Sequence, residues 1–202
     1  KQISVEIGKT LKPERQAALE TYLGLALDKA AIYNNHHCRF DPGRGIRSVF
    51  DRHDYAFVWS HAEFDASANL LPWVIDQVHD AYVELAQYLS PVQALLSAKQ
   101  MTSQPNRLVI LQGSANTLSC LADNSLHNIT VDPPYSDNVM YAELSDFFYV
   151  WLKRTIGHLY PEHFATEGTP KKQEAVADAV RYGGSKEKAK QAYERMMAQS
   201  FA

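Results

Sequence analysis

The stretch Ile129-Thr130-Val131-Asp132-Pro133-Pro134-Tyr135 decides how this chain is read. Its first three residues are a β-branched run with the character of a short buried strand. Two prolines end that run, because proline lacks an N–H and fixes φ, so no hydrogen-bond ladder continues through it. An acidic side chain is thereby left at the carboxyl end of a strand, ahead of a rigid turn and an aromatic ring. In open α/β sheets that edge is where ligands sit.

Upstream, Leu108-Val109-Ile110-Leu111 is an unbroken apolar run of the length expected for a buried parallel strand. Gln112-Gly113-Ser114-Ala115 turns out of it, and a polar link through Asp123 and Asn124 leads to the strand ending at Asp132. Two buried strands so placed fit a βαβ-like arrangement with a short crossover. Downstream, Tyr141, Leu144, Phe148, Trp151, Leu152 and Thr155 recur at helical spacing, which predicts an aromatic helix over about 141–158. Thr169-Pro170 then reads as an N-cap and first-turn proline opening another helix, closed by Gly183-Gly184. Ser185 with Glu187 opens a last helix through Met197.

The N-terminal half is mostly helical in pattern. Ile3-Ser4-Val5-Glu6-Ile7 alternates, a weak strand signal. Pro13 opens a helix whose stripe of Leu19, Tyr22, Leu23, Ala26, Leu27 and Ala30 runs out near Asn34-Asn35. Residues 36–68 are irregular and rich in aromatics, including Phe40, Phe50, Tyr55, Phe57, Trp59 and Phe64, as in a segment that drapes over a core or lines a cleft. Pro72 starts a second helix that Pro91 is expected to end or kink, with a shorter piece over about 92–100. The character changes at Gln104-Pro105-Asn106. The expected division is a helical region, 1–105, and a catalytic region, 106–202, with a helical tail from about 160.

The 202 residues are 46% hydrophobic and 21% charged, enough for a sizeable core. A net charge of -3 gives no global attraction to nucleic acid, so DNA contact must be local. The one basic stretch is 168–202, with seven basic against four acidic residues; it reads equally as a solvated helical face or as a phosphate contact. Cys38 and Cys120 suggest reduced thiols in a cytoplasmic protein rather than a disulfide framework. No apolar run approaches the roughly 20 residues of a membrane helix, so no membrane partner is expected.

The turn Asp132-Pro133-Pro134-Tyr135 resembles the catalytic motif of S-adenosylmethionine-dependent amino-methyltransferases. From Val131 through Asp132-Pro133-Pro134-Tyr135, Asn138, Tyr141 and Phe147-Phe148 to Lys153-Arg154, the chain is similar to bacterial DNA methylases that carry an N-terminal domain of unknown function 1156. The likeness extends to Thr169-Pro170-Lys171-Lys172, Arg181-Tyr182-Gly183-Gly184 and the Lys-rich end, and upstream to Tyr22-Leu23 and Ile46-Arg47. It implies an α/β fold, a mostly helical chain with a partial Rossmann-like, class I methyltransferase parallel sheet. It also implies S-adenosylmethionine as cofactor and adenine in DNA as acceptor.

Carried over by position, Asp132, Pro133, Pro134 and Tyr135 form the catalytic turn. The Asp132 carboxylate and the Pro133 carbonyl would accept the amino protons of the target base, and Tyr135 would stack on that base once it is flipped from the duplex. Gly113, Ser114 and Ala115, with Asp132, would lie on the cofactor side, and Asn138 and Tyr141 on the base side. The chain departs from the family after Trp59, where Glu63-Phe64-Asp65-Ala66 replaces its Glu-x-Asn-Pro.

The glycine-rich cofactor loop is not found. Asp41-Pro42-Gly43-Arg44-Gly45 lacks the preceding hydrophobic strand that such a loop needs. The chain is therefore expected to be a piece of a longer protein whose remainder is needed to bind the cofactor. His36, His37, Cys38 and His53 do not complete a metal-ligand spacing, so no metal is expected. There is no Gly-x-Ser-x-Gly elbow for a hydrolase. The rival readings are a methyltransferase for cytosine, RNA or protein glutamine, and a non-catalytic nucleic-acid or protein interaction module with a degenerate turn.

Overall fold

A computed structural model describes residues 2–51, 58–98, 111, 113–118 and 121–201, with the side chains of 2–4 and 89–98 not described. The elements are α1 (Gln2–Gly8), α2 (Pro13–Ala31), β1 (Arg39–Asp41), β2 (Gly45–Arg47), a π-turn (Ala66–Leu70), α3 (Leu71–Ala98), α4 (Tyr141–Thr155), a 3-10 turn (Ala179–Tyr182) and α5 (Lys186–Phe201). They fall into two compact units, Lys1–Thr102 with Asp146–Thr169, and Ser103–Ser145 with Pro170–Ala202.

Among the described residues the expected α/β fold with a parallel, Rossmann-like sheet is not present. Among the described residues the sheet is one antiparallel pair, with Arg39 opposite Arg47, Phe40 opposite Ile46 and Asp41 opposite Gly45. Ile129 and Val131 are 66% and 58% exposed and belong to no strand. Leu111 is also exposed, and residues 108–110 lie outside the described residues. A β-branched run becomes a strand only when a neighbour takes its N–H and C=O groups. Residues 129–131 have no such neighbour among the described residues.

In the first unit, α2 begins at Pro13, where a missing N–H costs nothing, and Ile32 closes it with its N–H on the Asp28 carbonyl. Its Ala26 and Ala30 pack on Leu70 and Val74, with Tyr33, Phe64, Trp73 and Val78 around them. Burying Leu70 and Val74 contributes about 1.5–3 kcal/mol each. The Lys29 ammonium lies 5.2 Å and 5.3 Å from the Tyr33 and Trp73 ring centroids, which closes this core with a cation over two rings. The Asp65 carboxylate accepts from the Ser67 and Ala68 N–H groups and starts the helical run into α3. The Ala68 contact is the main cause holding the Asp65 carboxyl below its usual range.

Close approach between α2 and the later chain rests on Gly24. A Cβ there would meet Ile156 Cγ2 at 3.3 Å and Thr155 Oγ1 at 3.4 Å. Phe50, from the irregular segment, stacks on Phe148 and meets Phe147 edge-on. Cys38 is fully buried, and its thiol donates to the Ile32 carbonyl; burial pushes that thiol above its ordinary pKa. Cys120 and His53 lie outside the described residues, as do Tyr55 and Phe57.

Four local expectations are corrected. Residues 2–8 form a helix, since five alternating residues are few and Ile3 and Ile7 also satisfy an i,i+4 spacing. Helix α3 continues through Pro91 to Ala98 as one element, so the proline removes a ladder hydrogen bond without stopping the helix. Thr169-Pro170 opens no helix; the Thr169 N–H and hydroxyl instead both donate to Asp146 Oδ1 at 2.8 Å. The last helix runs on to Phe201, four residues past Met197. The aromatic helix forms as expected and ends at Thr155.

The second unit is organised by Arg181. Its Nη2 donates to both oxygens of Glu143 at 2.7 Å and to Glu174 Oε2 at 2.6 Å, and Nη1 donates to the Lys171 carbonyl at 2.7 Å. Asp178 Oδ2 adds an ion pair at 3.4 Å. Burial alone would lower the guanidinium pKa, but the hydrogen bonds to Glu143 and Glu174 outweigh it and the net shift is upward. Glu174 Oε1 also accepts the Ala142 N–H in the first turn of α4. Gly183, at φ +63°, ends the 3-10 turn in the left-handed region that favours glycine. The Ser185 hydroxyl accepts from the Lys188 N–H at 3.3 Å, and α5 then buries Ala189 and Ala192.

Candidate functional site

Each X–Pro step restricts the residue before it to extended conformations, so Asp132 and Pro133 are both held out of the helical region. The chain then folds back sharply. The Ser136 N–H reaches the Pro134 carbonyl at 3.2 Å with Ser136 at φ +52°, and the Asn138 N–H reaches the Tyr135 carbonyl at 3.0 Å. Asp132 is exposed and Tyr135 is 67% exposed. The Tyr135 hydroxyl donates to Asp132 Oδ1 at 3.3 Å, a long contact of low strength.

The two proline carbonyls differ. That of Pro134 accepts the Tyr193 hydroxyl at 2.7 Å as well as the Ser136 N–H. That of Pro133 has no donor among the described residues. The Ser136 carbonyl accepts the Ala177 N–H at 3.1 Å. The turn is thus gripped at Pro134 and Ser136, leaving the Asp132 carboxylate, the Pro133 carbonyl and the Tyr135 ring outside that grip. Asn138 is exposed, and Tyr141, at the first residue of α4, is 51% exposed.

On the expected cofactor side, the Ser114 carbonyl accepts from the Thr117 and Leu118 N–H groups, and the Ser114 hydroxyl accepts from the Asn116 N–H. Gln112 lies outside the described residues. Gly113, Ser114 and Ala115 are exposed, and a Cβ added at Gly113 would meet nothing within 4 Å. Among the described residues this turn is open, with no side chain or backbone packed over Gly113.

Helix α5 holds both turns. Tyr193 bonds Pro134, and the Ser200 hydroxyl donates to Asn116 Oδ1 at 2.5 Å. The two residues are seven apart, two turns of helix, so they share one face and stand about 10 Å apart along the axis. Sequence reasoning missed Tyr193 and Ser200. The only available signal was their i,i+7 spacing beside the small buried Ala189 and Ala192.

Elsewhere, the His36 and His61 rings stack at 4.3 Å beside a polar cleft of about 220 Å³ lined by Asn34, Asn35 and Glu63. Among the described residues no group of three or more His, Cys, Asp or Glu could hold a metal. No described helix is long and apolar enough to cross a membrane. No protein-family model, curated protein or solved structure compared with the chain matches it.

Proposed function

We propose that this chain carries the acceptor-side turn of an S-adenosylmethionine-dependent, cytoplasmic methyltransferase acting on the exocyclic amino group of adenine in DNA. The observation that carries the reading is the open group of two acceptors and a ring. The Asp132 carboxylate and the Pro133 carbonyl stand beside an exposed Tyr135, all within four residues. The lone pair of an adenine amino nitrogen is delocalised into its ring, which makes it a poor nucleophile. Two acceptors that draw on its two protons favour the pyramidal state in which the lone pair is localised. Tyr135 offers its face to the flipped base, and its long bond to Asp132 is given up at little cost.

Exposed Lys186, Lys188 and Arg195 on α5 lie in the same unit as the turn and supply local positive charge for phosphate contact. Because the Gly113–Ala115 turn is open among the described residues, the role proposed for this chain is confined to holding the acceptor.

That open surrounding also favours a second reading, a non-catalytic interaction module that retains the turn. Binding measurements separate the two. Fluorescence anisotropy would compare a duplex carrying one mismatched adenine with the same duplex carrying purine, which lacks the amino group, at that position. The acceptor reading expects tighter binding to adenine, about fivefold or more, abolished by Asp132→Ala. Equal affinities for the two duplexes would leave the interaction module.

A further inference from the structure

The Asp132-Pro133-Pro134-Tyr135 turn lacks the support of a sheet among the described residues, yet its acceptor groups need a fixed direction to act on one amino group. The hydrogen bonds that fix it come from a distant part of the chain. The Tyr193 hydroxyl donates to the Pro134 carbonyl at 2.7 Å across 59 positions of sequence, and the Ala177 N–H holds the Ser136 carbonyl at 3.1 Å. Ala177 in turn lies between Glu174 and Asp178, both ion-paired to Arg181.

The backbone between the anchored carbonyl and the open one is stiff. Pro133 and Pro134 both have φ near −65°, and Pro133 is also confined in ψ because a proline follows it. Once the Pro134 carbonyl is anchored, the direction of the Pro133 carbonyl has little freedom left. Occupying Pro134 with a hydroxyl donor also removes it as a competing acceptor, so an incoming amino group meets the Pro133 carbonyl and not its neighbour.

We infer that Tyr193 is a positioning residue for the amino acceptors, setting the Pro133 carbonyl and Asp132 through its hydrogen bond to Pro134; this rests on the acceptor-side reading of the turn. Tyr193 does not touch the base. Its hydroxyl should therefore matter for recognition of the amino group and not for binding of the remaining DNA.

Tyr193→Phe removes the hydroxyl and keeps the ring. With the mismatched-adenine and purine duplexes as probes, the variant is expected to lose about threefold to tenfold of the preference for adenine. Its affinity for the purine duplex should stay unchanged. A wild-type chain that prefers adenine, loses the preference in Asp132→Ala and keeps it in full in Tyr193→Phe would overturn the role of Tyr193 alone. A wild-type chain with no preference would overturn the acceptor reading and the inference with it. A Tyr193→Phe variant that weakens both duplexes equally marks a merely structural residue and also overturns the inference. Thermal unfolding checks that the variant folds. If it does not, 3,5-difluorotyrosine at position 193, studied below the pKa of its phenol, keeps a stronger donor. The preference must then be at least that of wild type, and a loss would refute the assignment.

Discussion

Asp28 is the group whose burial has the clearest measurable consequence. Glu20, Gly24 and Asp28 recur every fourth residue on α2, and all three are buried. Glu20 is satisfied: Oε1 accepts from Gln16 at 2.8 Å, and Oε2 lies 3.1 Å from His158 Nε2. Asp28, two turns further on, is 5% exposed, and its Oδ1 is buried with no hydrogen-bond partner among the described residues. Desolvation by burial raises its pKa from 3.8 to about 7.

A folded-state pKa above the unfolded one means that, between these two values, the folded chain holds a proton the unfolded chain releases. Stability from this group is therefore greatest below pH 3.8, falls as pH rises towards 7, and is level above that. A rise of about three units at about 1.36 kcal/mol each sets a ceiling of about 4 kcal/mol. Local relaxation and water penetration reduce the realised cost to about 2 kcal/mol.

Asp28→Asn keeps the shape and removes the titration. Urea unfolding followed by tryptophan fluorescence reports on this unit alone, because Trp59, Trp73 and Trp151 all lie in it. At about pH 8 the variant should be more stable than wild type by about 2 kcal/mol, and the gap should close as pH falls to about 4. Parallel pH curves for the two proteins, or a gap that widens towards acid, would refute the reasoning.

Three further outcomes are expected. Gly157→Ala places a Cβ 2.3 Å from the Lys153 carbonyl oxygen. The backbone must shift, and the first unit should lose about 1–3 kcal/mol in the same urea assay, whereas unchanged stability would contradict this geometry. Arg181→Met leaves Glu143, Glu174 and Asp178 facing one another without their shared cation. Because these groups are only partly buried, the loss should be about 2 kcal/mol, seen as roughly thirtyfold faster amide exchange over 171–184; unaltered exchange there counts against the hub. Calorimetry should show no tight S-adenosylmethionine binding by this chain, given the open turn at Gly113, and a sub-micromolar Kd would overturn that reading.

Legibility differs between the two kinds of element. The helices α2, α4 and α5 could be read because an amphipathic stripe repeats over several turns, and Pro13 and Ser185 mark two of the starts by their hydrogen-bonding chemistry. Helix α3 was legible over Pro72–Leu89, and its passage through Pro91 was not, since proline sets a cost and tertiary context decides whether that cost is met. The strand expected at 129–131 was misread for a related reason. Ile129-Thr130-Val131 has the composition of a buried strand, but burial and pairing depend on which backbone comes alongside, which a short apolar run does not encode.

The same division holds within the candidate site. The sequence by itself determined its local parts: the acidic side chain, the stiff proline pair, the ring of Tyr135, and extended backbone at Asp132 and Pro133 through proline sterics. Tertiary structure alone decided which proline carbonyl is tied and which is open, because the donor on Pro134 is Tyr193, far along the chain. It also decided that α5 carries both turns on one face and that Arg181 gathers three carboxylates. Such pairings depend on the path of the backbone in space, and no residue in either partner announces the other.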